Sequence, residues 1–186
     1  MHSTPPALGM NPMFRRQMVQ MAHQRDQMEQ YDRCNNLIFK GFAESREETE
    51  DLEQVVIDTA NSLNVNLLRE EIDQCFRIGK QDTSRGPRRI LVRLKNKSKK
   101  VDMMKKKKNL DNNRYLEEDL TKMRSSMFYA ARKCPKTTKA WTIEGKIFAY
   151  LQTDQGSTKI TLSSPEDMKK IGWTDAQIDN LLSTYA

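Results

Sequence analysis

The stretch "RRILVRLK", residues 88–95, constrains the fold more than any other part of the chain. Ile90, Val92 and Leu94 alternate with Arg89, Leu91 and Arg93, the period of a strand that buries one face and shows a basic one. Such a strand needs antiparallel neighbours, and the flanking sequence supplies them. "NNLIFKGF", residues 35–42, is a short apolar run with Leu37 and Phe39 on one face and Ile38 and Lys40 on the other. "IDQCFRIGK", residues 72–80, reads as a further strand with Phe76 and Ile78 inward and Cys75 and Arg77 opposite. Between these two runs the spacing predicts a helix, opened by a Ser45–Glu48 capping box and burying Leu52, Val55, Val56, Thr59 and Leu63. After "RRILVRLK" comes a lysine-rich helix from about Asn96 to Leu110, with Val101 and Met104 facing in, and then a short apolar segment at Arg114–Leu116. The order is βαββαβ, the ferredoxin-like plan shared by RNA-recognition-motif (RRM-like) domains, with two helices behind a four-stranded sheet and an open front.

That domain, residues 35–116, is flanked by less regular sequence. Residues 1–12 hold three of the chain's six prolines and no apolar period, and read as a disordered tail. Residues 13–34 read as a short N-terminal helix and a candidate coiled coil. Phe14, Met18, Met21 and Met28 follow four- and three-residue steps once Arg25 is counted as a seam position. Residues 117–173 read as a small basic C-terminal α+β domain. Its helix places Leu120, Met123, Met127, Ala130, Ala131 and Cys134 on one side, and "KAWTIEGKIFAYL" forms a hairpin turning at Glu144–Gly145. "TKITL" adds a strand, and a helix opened by Ser164 and Pro165 stops at Gly172. Residues 174–186 form a terminal helix with a Thr174–Gln177 capping box. The fold class is α+β.

A chain of 186 residues with 37% hydrophobic content fills the cores of one ordinary domain or two small ones. The net charge of +7 favours a polyanionic partner, nucleic acid ahead of a membrane, because no run approaches the ~20 apolar residues that span a bilayer. The charge is uneven. Residues 44–74 carry ten Asp or Glu against two Arg, a local −8, while residues 85–108 carry twelve Lys or Arg against Asp102, a local +11. Cys34, Cys75 and Cys134 are widely spaced without a CxxC, and His2 and His23 precede the expected folded region, so no zinc site is expected. Free thiols suit a reducing compartment, the cytosol and/or the nucleus.

Catalytic patterns are missing. GxSxG and HExxH do not occur, and "GKQDTSRG" departs from a phosphate loop in its leading glycine and in the residue after the lysine. Glu117, Glu118 and Asp119 have the chemistry to hold Mg²⁺ for phosphodiester cleavage, but the preferred reading is Asp119 as the cap of the next helix, with the glutamates favouring its positive N-terminal end. The expectation is a protein that is not an enzyme and uses no metal or cofactor.

Binding features are richer. The first and third strands of a split βαβ sheet are central neighbours, so Lys40, Arg89 and Arg93 are expected on the front face, with Arg77 entering from the second strand and Lys80 and Arg88 close by. The lysine helix and its following loop add Lys97, Lys105, Lys106, Lys107 and Lys108. The C-terminal region adds Arg124, Arg132, Lys133, Lys136 and Lys139. The aromatic residues with which RNA-recognition motifs stack bases are missing, since Ile38, Arg89 and Leu91 occupy their expected positions. Binding should then lean on phosphate charge and carry little sequence specificity. The expected partner is single-stranded RNA or DNA, RNA ahead of DNA. The alternative is an assembly or adaptor protein that self-associates through residues 14–33 and pairs its acidic first helix with its basic second helix.

The segments "NNLIFKGFAESREETEDLE", "CFRIGK", "GPRRILVRLKNKSKKVDMMK", "RYLEEDLT" and "KAWTIEGKIFAY" together resemble, over about residues 33–173, proteins carrying the C-terminal domain of the baculoviral few-polyhedra (FP) protein. More loosely, the chain is similar to the first-open-reading-frame proteins of LINE-type retrotransposons. That second group has a coiled coil, an RRM-like domain and a small basic C-terminal domain, and its members coat and chaperone single-stranded nucleic acid. The resemblance implies the same architecture and a nucleic-acid role here. This chain departs in its short, methionine-rich helix, so the retrotransposon trimer is not carried over.

Overall fold

The computed structural model describes residues 11–45, 50–80, 86–111 and 113–185. The expected disordered tail falls outside these apart from residues 11 and 12, as does Glu48 of the expected capping box. The chain is α+β, with two antiparallel sheets of four and three strands. In chain order the elements are α1 (Pro12–Asp32), β1 (Asn36–Lys40), α2 (Leu52–Ser62), β2 (Ile72–Ile78), β3 (Arg89–Leu94), α3 (Lys97–Lys106) and β4 (Tyr115–Glu118). They continue with α4 (Lys122–Lys133), β5 (Thr137–Ile143), β6 (Lys146–Thr153), β7 (Gly156–Leu162), a 3-10 segment at Pro165–Ile171 and α5 (Asp175–Thr184). Two compact units result, residues 31–119 and residues 1–30 with 120–186.

In the first unit the strands order as β2-β3-β1-β4. Alternation sends Leu37, Phe39, Ile90, Val92, Leu94 and Leu116 to the back, where they are buried with Val56, Ala60 and Leu63 around α2 and Met103 of α3. Helix α2 opens at Asp51, not at Ser45 as expected: the Asp51 carboxylate accepts from the Gln54 amide at 3.0 Å, and Ser45 lies outside the helix. Helix α3 buries Lys100 and Met103, whereas Val101 and Met104, expected to face in, are only half-buried. The Lys100 ammonium donates to the Cys34 carbonyl at 2.7 Å and lies 3.8 Å from the Glu118 carboxylate. A partnered lysine can therefore occupy a core-facing position that a hydrophobicity pattern assigns to its neighbour. Gly41 follows β1 with φ +81, and a Cβ there would sit 1.7 Å from the Asn113 carbonyl oxygen, so only glycine fits.

In the second unit, β5, β6 and β7 form a meander whose inner face buries Ile147, Ala149 and Leu162 against Met123, Met127 and Ala131 of α4, with Met168, Ile178 and Leu182. The β5–β6 turn is the two-residue type expected, with φ of 51 at Glu144 and 74 at Gly145. Helix α1 docks here through a largely polar stripe. Arg124 Nε donates to Asp26 at 2.6 Å, Arg124 Nη1 donates to the Gly145 carbonyl at 2.8 Å, and the Thr121 amide donates to Gln30 at 3.0 Å. The Thr121 hydroxyl donates to Asp26 and accepts from the Arg124 amide, which makes Thr121, not Asp119, the cap of α4. At the other end of α1, Arg15 donates to Glu166 at 2.6 Å and Asp179 at 2.7 Å. The buried face of α1 is thus Val19, Asp26 and Gln30, while Phe14, Met21 and Met28 of the expected seam are 54%, 67% and 72% exposed. No helix among the described residues is long and apolar enough to cross a membrane.

Candidate functional site

Strand β3 sets the front of the four-stranded sheet. Pairing registers place Phe76, Leu91, Ile38 and Glu117 in one row across β2, β3, β1 and β4. The row toward Gly41 holds Ile78, Arg89, Lys40 and Tyr115, and the row on the other side holds Gln74, Arg93 and Asn36. The front is therefore an apolar band ending in an exposed Phe76, flanked on both sides by cations.

Phe76 stands here because β2 changes phase. Its pairing with β3 slips between Ile72 and Gln74, a bulge that turns the following residues over. Ile72 remains in the core, but Cys75 and Arg77 then face back, and Phe76 and Ile78 face forward, the reverse of the simple alternation. Phe76 is 45% exposed and Tyr115, at the opposite edge, 57%. Neither was expected at the site. The signal available in the sequence was the polar pair Asp73–Gln74, which interrupts the alternation after Ile72. Burial pushes the Cys75 thiol up to about 12, and the side chain packs, half-buried, against the core behind the sheet.

Arg77 is not on the front. Its side chain is 4% exposed and donates to Glu50 at 2.5 and 3.1 Å, and to the carbonyls of Phe42, Ala43 and Arg88 at 3.0, 2.6 and 2.6 Å. The same contact holds the Glu50 carboxyl below the usual carboxylate range. Arg124 is likewise consumed inside its unit by Asp26 and Gly145. Arg88 donates to Glu44 at 2.6 Å, and that hydrogen bond lowers the Glu44 pKa.

The cations that remain outward are held loosely. Lys40 lies 2.5 Å from Glu117 and Arg93 3.4 Å from Asp73, both exposed pairs. Pairs of this kind contribute about 0–1 kcal/mol and exchange readily for a phosphate. Arg89 is exposed and, among the described residues, has no ion-pair partner. Lys80, just past β2, is also exposed.

On the lysine helix, Lys97, Lys105 and Lys108 are exposed, and Lys106 donates to the Asn64 carbonyl at 2.8 Å. Lys107 and Lys108 line a cavity of about 400 Å³ with Leu110, Arg114 and Tyr115, beside the edge strand β4. Lys100 is buried, and desolvation pushes its pKa down. In the other unit, Arg132, Lys133, Lys136 and Lys139 are all exposed. Three of them lie over rings: Arg132 at 5.7 Å over Phe128, Lys133 at 5.6 Å over Tyr129 and Lys139 at 5.5 Å over Trp141.

The acidic triplet does not converge. Strand alternation puts Glu117 on the front beside Lys40 and Glu118 on the back near Lys100, while Asp119 accepts from Arg33 and Asn36, each at 2.9 Å. Among the described residues no group of three or more His, Cys, Asp or Glu could hold a metal ion. In comparisons with known proteins, the chain matches no family model and no curated protein.

Proposed function

We propose that this chain is a non-catalytic protein that binds single-stranded nucleic acid with weak sequence specificity, RNA ahead of DNA, as a chaperone of the kind that serves a retroelement or virus. The observation that carries the reading is the front of the four-stranded sheet, where Arg89, Arg93 and Lys40 border the Phe76–Leu91–Ile38 band. Cations meet phosphates there, and the exposed ring of Phe76 offers a face to an unpaired base. Low specificity follows because Phe76, Leu91 and Ile38 themselves carry no hydrogen-bonding side chain with which to read a base edge. The strand order β2-β3-β1-β4 under a βαββαβ chain order supports a ferredoxin-like reading of residues 31–119. The looser resemblance to LINE-type proteins supports the same role, and the FP resemblance is compatible with the second reading below.

The test is fluorescence anisotropy of a labelled oligouridylate of about 20 nucleotides at about 100 mM salt. The Arg89→Ala/Arg93→Ala chain should bind at least about tenfold more weakly, through loss of two phosphate contacts. Unchanged binding removes the sheet front from the site.

A second reading, an assembly or adaptor protein, is favoured by one observation: Phe14, Met21 and Met28 lie exposed at seven-residue spacing along α1. Gel filtration with and without nuclease separates the two, since an assembly held by nucleic acid collapses on digestion and one held by α1 does not.

A further inference from the structure

The outer face of the three-stranded sheet carries aromatic rings that the core does not use. Pairing registers align Lys139, Tyr150 and Lys159 in one outward row and Trp141, Phe148 and Thr161 in the next. The Trp141 ring lies 5.8 Å from Phe148 at an interplanar angle of 20° and 5.2 Å from Tyr150, so the three form one continuous patch. Lysines lie over it: the Lys159 ammonium is 4.8 Å from the Phe148 centroid and 5.6 Å from that of Trp141, and Lys139 is 5.5 Å from Trp141. Lys146 stands at the start of β6, exposed and on the same face. The outward positions of the three strands hold no Asp or Glu.

We propose that this face is a base-stacking platform for single-stranded nucleic acid, in which Trp141, Phe148 and Tyr150 take bases and Lys139, Lys146 and Lys159 take phosphates. The inference rests on the single-strand reading above and gives the second unit a contact of its own. A patch of flat rings selects flat apolar faces, and an uncompensated set of cations selects a polyanion; an unpaired strand offers both at once. In the unbound chain the ammonium groups occupy the ring faces. An arriving base replaces them there, and each freed ammonium lies within reach of the backbone phosphates. A neutral sugar would leave the lysines without a role, and a duplex keeps its base faces stacked inside.

The chain has two tryptophans, Trp141 and Trp173, so Trp173→Phe leaves Trp141 as the sole indole reporter. The full chain is titrated with oligouridylate, with oligothymidylate and with an abasic phosphodiester of equal length, about 20 units each, reading anisotropy and Trp141 emission together. Both base-bearing strands should quench Trp141, and the abasic strand should bind without quenching. Separately, Trp141→Ala in the otherwise unaltered chain should weaken oligouridylate binding about tenfold while leaving the abasic strand unaffected, which keeps the test open if Trp173→Phe does not fold. Binding of oligouridylate with unchanged Trp141 emission and no effect of Trp141→Ala overturns the platform and leaves the single-strand reading standing. No binding of any strand by anisotropy overturns both.

Discussion

At the scale of single residues, the charge of an arginine does not tell whether it faces a ligand or its own protein. Arg77 and Arg89 look alike in sequence, yet one is sealed against Glu50 and three carbonyls and the other is exposed. Removing Arg77 takes the guanidinium from three carbonyls and the counter-ion from Glu50, so Arg77→Ala should cost about 3–5 kcal/mol in urea unfolding, while Arg89→Ala should stay within about 0.5 kcal/mol. The Glu50 carboxyl adds a pH dependence. Its folded pKa is depressed by the Arg77 hydrogen bond, so its contribution is complete above the unfolded value of about 4.3 and is lost as pH falls through the lower folded value. The carboxyls of Glu44, held by Arg88, and Asp51, held by Arg69, are depressed in the same direction. The urea midpoint should therefore be flat from about pH 7 to pH 5 and fall below about pH 4.3, and Glu50→Gln should start lower and fall less steeply. A midpoint that rises on acidification would contradict these pairings.

At the scale of elements, the parts that read well from sequence are those in which one face is plainly apolar. β1, β3, the buried face of α2 and the Glu144–Gly145 hairpin follow their patterns because a core or a turn geometry enforces them, whereas the start of α2 moves from Ser45 to Asp51. The misreadings share a cause: a polar group bonded inside the protein looks the same as one facing water. Lys100 shifted the apparent inner face of α3, and Asp26 and Gln30 hid the docking stripe of α1 behind an exposed row of methionines. The bulge in β2 is a different case, since one extra residue inverts every side chain after it and so moved Phe76 to the site and Arg77 away from it. The α1 stripe is testable. Asp26→Ala strands the buried Arg124 guanidinium and should cost about 3–5 kcal/mol, with faster amide exchange along residues 12–30. Met28→Ala, at an exposed position, should change stability by less than about 0.5 kcal/mol in the monomer. A large effect of Met28→Ala on a concentration-dependent melting temperature would instead mark α1 as a self-association seam.

At the scale of the whole molecule, the two charge blocks have unequal fates. Much of the acidic block is used at home: Glu44 pairs with Arg88, Glu50 with Arg77, and Asp51 and Glu53 with Arg69. Among the described residues of the block, Asp58 and Glu70 stay exposed without an ion pair of this kind. The basic block keeps Arg89, Lys105 and Lys108 exposed, and the second unit adds Lys136 and the lysines around Trp141. An excess of outward cations over outward acids is what a single strand would encounter, and it should govern affinity through release of counterions. The most direct measurement is the affinity for an unstructured oligouridylate of about 20 nucleotides across a series of salt concentrations from about 50 to 300 mM. Contacts to about five phosphates give a log–log slope near −3.5, and a slope near zero, or no saturable binding at about 50 mM salt, contradicts a nucleic-acid-binding role.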